Sequence, residues 1–239
     1  MLFASPAFAA DLAVKAPVYT AHMPAFSWTG CYVGADAGVG FHQQHTSITP
    51  VGENQGAVSG NISGNTAIGG PYVGCNYQFA PSWVAGVEGD VIWGTFGGTA
   101  SAPNLFPNGT SAGSGGISWN ASSDWAASAR ARLGYAPAPN ALLYATGGAA
   151  WTRTNYSGHD QFNNPSFLAT AFSNSRAGWV AGAGLEFAPW SNNWIFRVEY
   201  LHYQFGGVSS TVGSPASHVT FNFGDLKIDT VRAGVGYKF

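Results

Sequence analysis

From Trp28 to Phe239 the chain alternates with period two, apolar or aromatic residues taking every second position and small or charged residues the positions between. Successive side chains leave a β-strand on opposite sides, so this periodicity predicts strands with two unlike faces. Eight segments carry it, at about 27–42, 69–79, 83–96, 124–136, 141–153, 177–188, 193–206 and 227–239. Their connections are of two kinds. Residues 80–82, 137–140 and 189–192 are tight turns carrying Pro, Ser or Asn. Residues 43–68, 97–123, 154–176 and 207–226 are long connections rich in Gly, Ser, Asn and Thr, expected to be loops. Loops of that length are uncommon in a compact soluble domain. Short and long connections alternate strictly, so the two ends of the strand array meet different surroundings.

The strand faces say which surroundings. In the third segment Trp83, Ala85, Val87, Gly89, Val91 and Trp93 share one face, and Gly86, Glu88 and Asp90 share the other. In the fourth, Trp125, Ala127, Ala129, Ala131, Leu133 and Tyr135 oppose Ser128, Arg130, Arg132 and Gly134. The aromatics bracketing each apolar face lie ten residues apart, which at ~3.3 Å per residue and a tilt of about 40° spans roughly 25 Å, the height of a membrane's apolar band. Charged residues make up 8% of the chain, where a soluble domain carries about 25%. The 33 glycines, each costing about 1 kcal/mol inside a helix, argue against a helical fold. No run of 18 apolar residues offers a membrane-spanning helix. A net charge of −2 supplies no basic footprint for nucleic acid. The expected fold is all-β: an eight-stranded antiparallel up-and-down transmembrane β-barrel, its apolar face toward lipid, with short periplasmic turns and long outer loops.

The same parity assigns the lumen. Asp36, Glu88, Asp90, Glu186 and Glu199 fall on the inward face with Arg130, Arg132, Arg197, Arg232 and Lys238, five acids against five bases. An eight-stranded barrel has an interior just wide enough for side chains to fill. Glu88 and Asp90 are therefore expected to pair with Arg130 and Arg132 on the neighbouring strand, and inward glycines such as Gly34, Gly134, Gly184 and Gly234 to leave room for arginine side chains. Two readings follow, a narrow polar channel or a salt-bridged plug supporting the wall, and the plug is favoured. The segment 141–153 carries no charge before Arg153, so its faces are not assigned.

Cys31 and Cys75 have lipid-facing parity at the same end of adjacent strands. In the oxidising periplasm they could be bridged, or stay as two buried thiols; the sequence leaves both open. His42, His45, His159 and His218 fall in or beside the long connections, without a spacing that pre-forms a metal site, and solvated loop residues are the expectation. No G-x-S-x-G, P-loop or H-E-x-x-H occurs, so no catalytic residue, metal or cofactor is assigned. At the C-terminus Val235, Tyr237 and the final Phe239 alternate with small and charged residues, a pattern that resembles the signal read by the barrel assembly machinery. Outer-membrane lipid and lipopolysaccharide are the other expected partners; nothing in the sequence sets an oligomeric state. At the other end, residues 1–9 read as the tail of a secretory signal with an A-x-A pattern at Ala7 and Ala9, 10–26 as an extended periplasmic segment that packs nothing, and 27–239 as the barrel.

Several of these segments resemble one family. Ala9-Ala10-Asp11-Leu12, the Pro/Ala stretch that follows and Phe26-Ser27-Trp28-Thr29-Gly30-Cys31-Tyr32-Val33-Gly34 are similar to the entry of the small outer-membrane β-barrel proteins of alphaproteobacteria. Gly74-Cys75-Asn76-Tyr77-Gln78-Phe79, Ala85-Gly86-Val87-Glu88-Gly89-Asp90 and Leu143-Tyr144-Ala145-Thr146-Gly147-Gly148 fit as well, as does the C-terminal Val231-Arg232-Ala233-Gly234-Val235-Gly236-Tyr237-Lys238-Phe239. The resemblance implies a porin-like barrel related to OmpA-like and opacity-type proteins, abundant in a Gram-negative envelope and without shared catalytic residues. A structural wall protein is the expected role. The alternatives are a narrow channel for small solutes and a loop-mediated binder of haem or a host surface.

Overall fold

A computed structural model describes residues 26–51, 57–102, 117–160, 170–189, 193–214 and 217–239. The segments 1–9 and 10–25 lie outside the described residues. The described strands are β1 (Gly30–Val51), β2 (Val58–Ala80), β3 (Trp83–Ala102), β4 (Ile117–Ala138), β5 (Ala141–Asp160), β6 (Thr170–Phe187), β7 (Trp194–Phe205), β8 (Val208–Ser214) and β9 (Ser217–Lys238). All neighbours are antiparallel, in the order β1-β2-β3-β4-β5-β6-β7-β9-β8, and β9 returns to pair with β1. The nine segments make eight staves. β7 and β8 are one stave interrupted at Gly206 and Gly207: both pair with β9, from Trp194↔Tyr237 to Phe205↔Leu226 and from Val208↔Phe223 to Ser214↔Ser217.

The wall is oriented by burial. Trp83, Trp93, Trp151, Trp179, Trp194 and Tyr237 are exposed on its outer surface, whereas the arginines and carboxylates of the same strands are buried inside. Register puts Trp83 opposite Tyr135 and Trp93 opposite Trp125, so the two aromatic girdles are level on adjacent strands. The turns at Pro81–Ser82 and Pro139–Asn140 mark the periplasmic end. β5 presents Leu142, Tyr144, Ala150, Thr152 and Tyr156 to the interior and Leu143 and Trp151 to lipid.

The long connections depart from expectation. Most of 43–68, 154–176 and 207–226, and nearly half of 97–123, is strand: β3 continues nine positions past Trp93 to Ala102, about 20 Å beyond the girdle at the same tilt. Gly, Ser, Asn and Thr made these stretches read as loops. A ladder already in register continues into water without an apolar face, because each added residue satisfies its own backbone groups on a neighbour.

Above the outer girdle the ring of hydrogen bonds opens at two seams among the described residues. Pairing of β2 with β3 stops at Gly69↔Trp93, and pairing of β6 with β7 stops at Gly178↔Phe205 without resuming on β8. The upper wall is thus two four-stranded ribbons, β8-β9-β1-β2 and β3-β4-β5-β6. An apolar cluster joins them: Ile48, Ile62, Phe221 and Phe223 from the first, Ala100, Trp119, Ala121 and Tyr156 from the second.

Phe26 corrects the expectation that nothing up to residue 26 packs. Its ring meets that of Trp28 edge-on at 4.9 Å, and Trp28 is buried among Val84, Ala136, Leu142, Ala188 and Ile195 as a plug across the periplasmic end.

Candidate functional site: an ionic layer sealed in the lumen

Nine of the ten charges assigned to the lumen meet there. β3 and β4 place Glu88 directly opposite Arg130, and Arg130 Nη2 donates to Glu88 Oε1 at 2.5 Å. Arg132 Nη1 donates to Glu88 Oε2 at 2.9 Å and its Nη2 to Glu186 Oε1 at 2.6 Å. From β7, Arg197 Nη1 reaches both oxygens of Glu88 at 2.9 Å, while its Nη2 donates to Asp36 Oδ2 at 2.6 Å. From β9, Arg232 donates to Asp90 Oδ2 at 2.7 Å and to Glu199 Oε2 at 2.8 Å. Arg130 Nη1 completes the ring on Glu199 Oε1 at 3.3 Å. Glu88 is the hub, engaged by three guanidiniums and by the Tyr32 hydroxyl at 2.7 Å.

Lys238 does not belong to this network. Its ammonium lies at the periplasmic rim, donating to the carbonyls of Ser27 at 2.5 Å and Thr29 at 3.2 Å, 4.7 Å from the Phe26 ring centroid. Two positions beyond Gly236, it is level with the chain entry rather than with the charged layer. The balance is therefore five carboxylates (Asp36, Glu88, Asp90, Glu186, Glu199) against four guanidiniums. Glu186 Oε2 and Asp36 Oδ1 are buried without a partner, so the acid excess lies at the margin of the network and not at its hub.

Parity arguments based on charge missed the tyrosines. β2 and β5 bring no charge to this layer and fill it with Tyr72 and Tyr144, joined by Tyr32 from β1. The Arg197 guanidinium lies 3.4 Å from the Tyr72 ring centroid and that of Arg132 lies 3.8 Å from Tyr144, cation–π stacking that keeps each guanidinium plane fixed. The glycines serve these rings first. A Cβ on Gly184 would fall 2.4 Å from the Tyr144 hydroxyl oxygen, and one on Gly34 2.4 Å from the Tyr72 ring. A Cβ on Gly234 would fall 2.9 Å from Asp36 Cβ and 3.4 Å from the Arg197 stem, so this glycine does make room for an arginine. The bare glycine surface accepts a tyrosine, and the tyrosine carries an arginine. An inward aromatic across from an inward glycine is the sequence signal that would have found them.

The layer is closed on both sides. Toward the periplasm lie Val84, Leu142 and Ile195; toward the outside lie Ile68, Ile92, Phe96, Leu201, Phe205 and Ile228. Side chains of the paired residues expose between 0% and 2% of their surface.

The remaining assigned residues lie elsewhere. Cys31 and Cys75 are directly opposed on β1 and β2 and are joined by a disulfide on the outer surface. Val235, Tyr237 and Phe239 form one outward row at the end of the chain. His42 and His45 diverge: His42 points inward, its Nε2 3.1 Å from the Gly97 carbonyl oxygen, while His45 points outward to Asn61 Oδ1 at 2.8 Å. His159 and His218 are in β5 and β9 rather than in loops.

The chain is similar to known outer-membrane proteins along nearly its whole length. The 31 kDa outer-membrane immunogenic protein of Brucella melitensis biotype 1 is 32% identical over 247 residues, an alignment covering 100% of this chain and 95% of the relative. The 25 kDa outer-membrane immunogenic protein of Brucella abortus biovar 1 is 31% identical over 252 residues, covering 99% and 92%. Among solved structures, Neisserial surface protein A is 14% identical with a TM-score of 0.42, covering 88% of this chain and 98% of that one. The family described as outer membrane protein beta-barrel domain matches residues 2–239, and with a closed antiparallel ring, a greasy exterior and its charges enclosed, this chain belongs to that family of bacterial outer-membrane proteins.

Proposed function

We propose that the protein is a structural component of the outer-membrane wall that neither conducts solutes nor catalyses a reaction. The observation that carries this reading is the ionic layer itself, buried, multiply bonded and covered by apolar side chains on both faces. A permeating ion needs an unbroken hydrated path, and opening one here would part several buried ion pairs at once. The purified barrel in planar bilayers is expected to show no conductance above that of the lipid. Steady single-channel steps from the wild-type protein would replace the wall reading with the channel one.

Lipid and lipopolysaccharide are the proposed surroundings. Two positions above outward-facing Phe41, Gln43 begins an open outer cleft of about 490 Å³, lined also by His45, Asn61, Ser63, Asp225 and Lys227. These amide, hydroxyl and charged groups suit the sugar and phosphate zone of such a leaflet. The divergence of His42 and His45 gives the haem-binding alternative no support. For assembly, the exposed row of Val235, Tyr237 and Phe239 is the proposed signal to the barrel assembly machinery. Deleting Phe239 is expected to lower the amount of barrel in outer-membrane fractions several-fold while refolding into detergent stays normal; equal amounts in the membrane would refute this.

A further inference from the structure

The four arginines of the ionic layer are each held by carboxylates, but a fifth buried arginine is not. Arg176, on β6, is 3% exposed and lies between the middle apolar layer and the outer aromatic cluster. Its Nε donates to the Gly206 carbonyl at 2.7 Å and its Nη2 to the Gly224 carbonyl at 2.8 Å, the two places where the β7–β8 stave and β9 lose their ladder. Nη1 has no partner, and among the described residues no carboxylate forms an ion pair with this guanidinium. A cation buried in this way keeps a large desolvation cost that backbone carbonyls only partly offset.

Above it stands a stack of rings. Tyr156 is stacked on Phe172 with centroids 4.8 Å apart and tilted against Phe223 at 4.3 Å, with Trp119 and Phe221 completing the walls. The Tyr156 hydroxyl is also buried without a partner. Phe172 differs from the other rings: it is half-buried, on the stretch of β6 that pairs with β5 but with no strand paired to its other side among the described residues. A swing of its ring into the seam between β6 and β8 would break no described ladder bond.

We propose that this chamber is a binding site for a small aromatic carboxylate, whose ring takes the place of Phe172 against Tyr156 while its carboxylate accepts from Arg176 Nη1 and the Tyr156 hydroxyl. Its carboxylate answers the two unmet polar groups, since it matches the fork of a guanidinium and neutralises it. Its ring needs Phe172 to leave, because the free space beside the stacked rings is only about 10 Å³, and then takes over the same stacking on Tyr156. The ionic layer beneath stays closed, so the site is one of capture from the outer side and not a step in conduction.

The test uses the full chain refolded in lipid nanodiscs, with 2-naphthoate titrated calorimetrically against empty nanodiscs as reference. Saturable binding is expected, with the neutral analogue 2-naphthylmethanol weaker by about tenfold or more, because it leaves the guanidinium unpaired. R176M is expected to lose a similar factor, and F172A, which empties the slot in advance, to bind at least as tightly as wild type. Heat signals no larger than those of empty nanodiscs, equal affinity for the acid and the alcohol, unchanged binding by R176M, or loss of binding in F172A would each overturn the proposal. Since R176M also removes two bonds to the broken stave, the acid–alcohol comparison and F172A decide the matter if that variant does not fold.

Discussion

Glu88→Gln is expected to destabilise the barrel by about 3–5 kcal/mol, the cost of leaving buried charge uncompensated. An amide of the same shape keeps the volume but removes the anion that Arg130, Arg132 and Arg197 share, and its NH₂ would face guanidinium donors. Glu186→Gln is the matched control. Glu186 has one guanidinium partner, Arg132, and one oxygen already without a bond, and the network carries one more carboxylate than it has guanidiniums. Its loss is expected to cost under about 1 kcal/mol, within the range of a single ordinary hydrogen bond. Urea unfolding of both variants in lipid vesicles, followed by tryptophan fluorescence, measures the difference. Equal costs would show that charge number, and not Glu88's place at the hub, governs the layer.

Gly184→Val is expected to cost about 2–4 kcal/mol, because the cross-strand pair Tyr144 and Gly184 leaves no space for a second side chain. All three close contacts of a Cβ at this position are with the Tyr144 ring and hydroxyl, the nearest at 2.4 Å. The tyrosine would have to leave its stack with Arg132 and its hydrogen bond to Glu199 at 3.0 Å. Tyr144→Ala carries a cost of its own, but placed with Gly184→Val it removes the collision, so the double variant should be clearly more stable than the sum of the two losses. Simple additivity in the same unfolding assay would mean that the glycine serves the backbone and not the ring.

Both expectations concern one small volume, and they bear on why that volume is ionic at all. Apolar side chains could fill a lumen of this width at similar or lower cost, so the ion pairs are weak evidence of stability in themselves. What they do is make every neighbour conditional on the others: Glu88 is tied to strands β1, β4 and β7, Arg232 on β9 to β3 and β7, and Arg132 to β6. Strands in the wrong order or register would bury charges without partners. The layer also seals the lumen more surely than a loose polar filling, since water could enter only by competing with several charge-assisted bonds at once.

Much of this was readable beforehand because a membrane strand obeys a strict rule. Side chains alternate between hydrocarbon and lumen, so once Trp83 and Trp93 face lipid, Glu88 and Asp90 must face inward, and the same holds for Arg130 and Arg132 opposite them. Charge made the faces of those strands visible. β5 has no charge in its membrane portion, and its faces became assignable only when register placed Tyr144 against Gly184 and Gly134. Lys238 shows the limit of the rule, since parity gives a direction but not a depth, and at the last turn of the wall the inward direction leads to the rim.

From its residues alone this chain determined its class, its inside and outside, the site of its ionic layer and the facing of its two cysteines, because hydrocarbon on one side and a narrow lumen on the other leave each strand a single workable orientation. Tertiary structure decided the rest. Which guanidinium meets which carboxylate depends on stagger between strands distant in sequence, and which rings fill the glycine hollows depends on cross-strand neighbours. Above the girdle hydrocarbon no longer constrains the chain, and there only the folded ladder reveals where the wall continues, where it parts into two ribbons, and why Arg176 lies beneath a stack of aromatic rings.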